Sequence, residues 1–185
     1  AAKDIRTSIL DGSFKYCNNC PYLHNKNGPV CDQPSDHYFI DIVQNKRTII
    51  DNPRWLNLAY DQSCNLACPS CRTEFIQIHD KKYDDTKKLQ DRLLEELKNK
   101  LEWLYITGSG DPFGSRLFRE LLCSMKEIDY PNINLYLHTN AIMLNEGMWD
   151  KMAGIRNAVK WIHVSIDAAT DKTYAVNRKG GKWDK

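Results

Sequence analysis

"SCNLACPSCR", residues 63–72, places Cys64, Cys68 and Cys71 within eight positions, with three and then two residues between them. A structural zinc site closes its tetrahedron with four ligands. An ordinary four-iron cluster also takes four cysteines. This stretch supplies three. The next cysteine, Cys123, falls in the middle of a helical pattern and reads as a small core residue on the apolar side. Three thiolates leave one position of a metal centre open, and an open position is where a substrate binds.

Outward from this stretch, strands and helices alternate. Leu56–Asp61, just before the cysteines, reads as a short strand. Lys87–Trp103 has apolar residues at Leu89, Leu93, Leu94, Leu97 and Leu101, one face of a helix that predicts core packing. Trp103–Thr107 reads as strand, and Gly114–Ile128 as helix with Ser115 as N-cap. Ile133–Thr139 is strand, Asn145–Ile155 helix, Trp161–Asp167 strand, and Thr170–Arg178 helix. This alternation predicts a parallel α/β sheet, whose ligands gather at the carboxyl ends of the strands. The polar, Gly-rich segments "DQSC", "GSGDPFG", "TNA" and "DAAT" follow the four strands in turn. Asp111, beside Pro112, could also cap a turn. His138 and His163 read as hydrogen-bonded sheet histidines, with His138 close to the ligand side.

The first 50 residues differ. They carry Cys17, Cys20 and Cys31 in a turn-rich stretch, then "HYFIDIV" (37–43), a candidate strand. "DNPR" marks a break, so the expected domains are 1–50 and 51–185. Net charge is +2, which gives no bias toward nucleic acid or a membrane surface. No apolar run approaches the roughly 18 residues that span a bilayer. The start has no signal-peptide core. With seven cysteines, an odd number, metal ligation fits better than an extracellular disulfide framework.

"CNLACPSC" (64–71) resembles the three-cysteine motif of the radical S-adenosylmethionine (radical SAM) superfamily, which lies in the loop after the first barrel strand. "GSGDPF" (108–113) resembles that family's Gly-Gly-Glu-Pro turn, and "TNA" (139–141) its Thr-Asn-Gly stretch. "SIDAATDKTYAVNRKGGKW" (165–183) resembles its Ser-x-Asp segment and Arg-x-Gly element. Three departures are visible. Ser70 stands where the family places an aromatic residue, Ser109 where it has a Gly, and Asp111 where it has Glu.

The resemblance implies an enzyme with part of a (β/α) barrel, four strand–helix units of the family's six. It implies a [4Fe–4S] cluster on Cys64, Cys68 and Cys71, and S-adenosylmethionine on the open iron. Reductive cleavage would give a 5′-deoxyadenosyl radical that takes hydrogen from substrate. Gly108, Ser109, Gly110 and Asp111 would meet the methionine amino group, with Asn140 in the next ligand loop. Ser165 and Asp167 would meet the ribose or methionine, and Arg178 the carboxylate end. An electron donor such as flavodoxin or ferredoxin and a cytoplasmic setting are implied too.

Cys17, Cys20 and Cys31 resemble pieces of the SPASM and twitch extensions, which bind auxiliary clusters in enzymes acting on peptides or proteins. A second Fe–S cluster there would need further ligands, His24 or His37 among them. A zinc knuckle on the three cysteines and a histidine, or free thiols, stay open. The short length suggests a fragment lacking about 60 residues, at a few tens per unit. Such a piece would expose a sheet edge and self-associate. Two other functions stay open: a non-catalytic Fe–S or zinc module, and an inactive fragment of such an enzyme.

Overall fold

The computed structural model describes residues 2–17, 37–50, 52–106 and 110–184. The chain forms two compact units, Ala1–Asp51 and Asn52–Lys185. Cys20, Cys31 and His24, and the turn residues Gly108 and Ser109, lie outside the described residues.

In the first unit, α1 spans Ala2–Leu10 and α2 spans His37–Gln44. The second helix corrects the strand expected at 37–43. A short run rich in Ile, Val and aromatics fits either period. A lone strand leaves its backbone groups unpaired, and no other strand is described in this unit. A helix closes its hydrogen bonds internally. Asp41 adds support near its end, accepting from Asn45 Nδ2 at 2.7 Å and from Arg47 Nη1 at 2.6 Å.

The second unit runs β1 (Trp55–Leu58), α3 (Asp80–Leu97), β2 (Trp103–Ile106), α4 (Arg116–Ser124), β3 (Asn134–Thr139), α5 (Glu146–Lys151), β4 (Val159–Val164) and α6 (Asp171–Asn177). The strands form one parallel sheet in the order β1-β2-β3-β4. This is the α/β class expected, with four strand–helix units of a partial barrel. Alternate strand residues Leu58, Leu104, Ile106, Leu135 and Leu137 are fully buried. They share one core with Leu94 and Leu97 of α3, Phe118, Leu121 and Leu122 of α4, and Met148 of α5. The intervening residues form an aromatic face. Trp103 stacks on Trp161 with centroids 5.2 Å apart, and Tyr105 lies 5.1 Å from Tyr136.

Local chemistry sets the helix ends. Ser115 caps α4, accepting from the Phe118 N–H at 3.0 Å. Thr170 caps α6 in a reciprocal box with Thr173. Helix α3 begins seven residues earlier than the Leu stripe suggested and stops at Leu97, because Asn99 turns left-handed at φ 62°. Leu89 is exposed, so the core stripe starts after it. Cys123 is exposed too, which corrects its assignment to the core. The buried stripe of α4 runs through Leu117, Phe118, Leu121 and Leu122, and Cys123 falls beyond it.

Candidate functional site

The three cysteines leave β1 on a loop tied to its surroundings by backbone. The Cys64 N–H donates to Ile76 O, and the Ala67 N–H donates to Lys179 O, both at 2.9 Å. A turn follows, in which the N–H groups of Cys71 and Arg72 both donate to Cys68 O. Cys64 and Cys68 are buried and Cys71 is exposed. Two buried carboxylates hold this loop against its neighbours. Asp61 accepts from the Ser63 N–H and Oγ and from Ser115 Oγ. Asp111, 2% exposed, accepts from the N–H groups of Phe113 and Gly114 on one oxygen. Its other oxygen accepts from Thr139 Oγ1 and the Asn140 N–H. The loops after β1, β2 and β3 are therefore cross-linked by charge-assisted hydrogen bonds.

Gly110 is needed at the closest approach. A Cβ there would stand 2.5 Å from Ser63 O and 2.8 Å from Asp61 O. Ala141 holds φ 63°, a left-handed value that suits the Gly of the resembled Thr-Asn-Gly stretch.

These loops surround a cavity of about 210 Å³ at the carboxyl end of the sheet. Cys64, Cys68, Cys71, Gly110, Asp111, Asn140, Ser165, Asp167 and Arg178 all line it. So every site residue expected in the second unit, and described, is brought to one place. Cys17 is half-buried in the first unit.

Each sulfur meets an N–H donor. Cys64 Sγ accepts from the Leu66 N–H at 3.4 Å and from Asn140 Nδ2 at 3.8 Å. Cys68 Sγ accepts from Arg178 Nη1 at 3.6 Å, and Cys71 Sγ from Arg72 Nη2 at 3.4 Å. Burial pushes the Cys64 thiol above its ordinary value, while the Leu66 N–H and Arg72 oppose that push. Among the described residues, no three His, Cys, Asp or Glu side chains converge as ligands of one metal ion. A four-iron cluster does not need one shared point, since its thiolates are spread over several irons. N–H donors aimed at three sulfurs, two of them from guanidinium cations, suit thiolates bound to such a cluster.

Two cavity residues had weaker signals in the sequence. Arg72 was not singled out from the sequence, although a cation directly after the third cysteine is the signal that could have found it. His138 does hydrogen-bond as a sheet histidine, Nε2 to Ser165 Oγ at 2.8 Å, yet it also lines the cavity. Its ring lies 4.4 Å from that of His163. Burial, and then His163, push its pKa below the ordinary imidazole value.

The family model of the radical SAM superfamily matches residues 62–185. No curated protein matches the sequence. No helix among the described residues is long and apolar enough to cross a membrane.

Proposed function

This chain belongs to the radical SAM superfamily, and from that premise we propose that it is an enzyme whose cluster sits on Cys64, Cys68 and Cys71. The family's cofactors are a [4Fe–4S] cluster and S-adenosylmethionine. When bound, they supply one-electron cleavage of the sulfonium and a 5′-deoxyadenosyl radical that abstracts hydrogen from substrate.

One observation carries the reading: three cysteine side chains share a cavity with loop residues from the carboxyl ends of all four strands. The chain's own part is to position and to shield. Gly110 brings backbone close to the cysteine loop, and Asp111 fixes that approach through its four donors. Asn140 bridges Cys64 and Asn65, donating to Asn65 Oδ1 at 3.0 Å. Ser165 and Asp167 offer an oxygen-rich wall for the ribose of the ligand. His138 orients Ser165. The substrate is a peptide or protein, a reading supported by Cys17, Cys20 and Cys31, which resemble auxiliary-cluster extensions. Those cysteines hold a second Fe–S cluster or zinc. A flavodoxin or ferredoxin supplies the electron, in the cytoplasm.

The test is anaerobic reconstitution with iron and sulfide, followed by reduction and electron paramagnetic resonance with and without S-adenosylmethionine. A [4Fe–4S]⁺ signal that shifts with the ligand, and is absent from the Cys64→Ala/Cys68→Ala/Cys71→Ala variant, is the expected result. Formation of 5′-deoxyadenosine then reports turnover. Stoichiometric zinc in place of that signal would overturn the reading. A signal indifferent to S-adenosylmethionine would favour a non-catalytic module.

A further inference from the structure

Arg178 lies 110 residues from Cys68 in sequence and meets its sulfur at 3.6 Å. It is 8% exposed. Each of its three guanidinium nitrogens has a partner. Nη1 donates to Cys68 Sγ, Nε donates to Ile166 O at 3.2 Å, and Nη2 pairs with Asp167 Oδ2 at 2.7 Å. Asp167 is itself held in an unusual conformation. Its φ is 54°, and Asn177 Nδ2 donates to its carbonyl at 2.7 Å. Helix α6 therefore ends in a fixed device, with Asn177 gripping Asp167, Asp167 gripping Arg178, and Arg178 aimed at one cysteine.

We infer that Arg178 sets the reduction potential of the cluster through Cys68, and that Asp167 opposes it. Arg178 acts through another residue, so it is a positioning residue. The inference rests on the reading that Cys64, Cys68 and Cys71 hold a [4Fe–4S] cluster. The couple is one-electron: an external reductant gives one electron, and the centre gains one negative charge, part of it on the sulfurs. A buried cation donating to a ligand sulfur favours the more negative state and raises the potential. The Asp167 carboxylate, paired with the same guanidinium, lowers it. The two partners of one ion pair thus act with opposite signs. A role confined to holding the loop in shape would not do this, because loss of either partner would then disturb the site alike.

The experiment is a redox titration of the reconstituted full chain, followed by electron paramagnetic resonance and poised with dithionite, without S-adenosylmethionine. Arg178→Gln is expected to lower the reduced-to-oxidised ratio at fixed applied potential about tenfold, or 59 mV for one electron. Asp167→Asn keeps the size of the side chain and removes its charge, and is expected to raise that ratio. Arg178→Lys keeps the charge without the planar fork and should fall between Arg178→Gln and the parent. If Arg178→Gln does not load, Asp167→Asn decides alone: a rise supports the inference, and no change or a fall overturns it. A loaded parent with variants that do not move, or move the same way, overturns this inference and leaves the cluster assignment standing. A parent that forms no cluster overturns both.

Discussion

Ala141 and His138 show what single residues contribute near the cavity. Ala141 occupies a left-handed backbone position at φ 63°. The strain of such a position is about 1–2 kcal/mol for an L-residue. Glycine removes that strain but costs about 0.5–1 kcal/mol of chain entropy. Ala141→Gly is therefore expected to stabilise the chain by about 0.5–1 kcal/mol in urea denaturation. A destabilised variant would show that the Ala141 methyl packs usefully. His138 makes a pH prediction. Its folded pKa lies below the ordinary value of 6.5, first because of burial and then because of the His163 charge. Asp111 pulls the other way, and Arg178 adds to the depression. Between the two pKa values the unfolded chain binds more protons, so stability rises with pH there. The contribution is complete above about 6.5 and is lost as pH falls below it. His138→Gln should flatten the pH dependence of the denaturation midpoint as pH falls below about 6.5. An unchanged slope would assign that dependence to other groups.

At the scale of elements, the site depends on how closely the loops after β1 and β2 approach. A methyl on Gly110 would strike backbone oxygens of Ser63 and Asp61, which cannot swing away as a side chain would. Gly110→Ala should destabilise the second unit by about 1–3 kcal/mol. It should also lower iron and sulfide bound per chain after reconstitution, read by metal and sulfide analysis. Full loading with unchanged stability would mean that the two loops do not need this contact. Much of this arrangement was legible in the sequence, because local chemistry decides it. Ser115 before α4, Thr170 before α6 and the polar loops after each strand are short-range signals. Where pairing partners decide, the sequence was ambiguous. "HYFIDIV" has strand composition, but among the described residues of its unit there is no strand for it to pair with, and it forms α2. Cys123 sits next to Leu121 and Leu122 in the chain but outside their face. Asp111 carried two readings, ligand contact and turn cap. Its four donors come from residues up to 29 positions away, at Asn140, so no local pattern could show that both its oxygens are engaged within the protein.

The whole second unit is asymmetric across its sheet. On β3, buried and half-buried residues alternate strictly, as a covered strand requires. On β4 the alternation is gone, and every residue from Lys160 to Val164 is exposed. Register explains why this matters. Ile162 pairs with Leu137 and Val164 with Thr139, so both continue the core face of the sheet. They are nonetheless 37% and 42% exposed, because among the described residues the helical cover stops before β4. An uncovered core face next to an outer strand is a surface that seeks a partner. This 185-residue chain is expected to self-associate with rising concentration, as sedimentation velocity would show. Ile162→Lys combined with Val164→Lys places charge on that face, the device natural sheets use to stay apart. The double variant should shift the distribution toward monomer. Ile128→Lys, at a residue 85% exposed outside the sheet, should leave it unchanged. If Ile128→Lys reduces association and the β4 pair does not, contact runs through another surface, and the β4 face is tolerated in water as it stands.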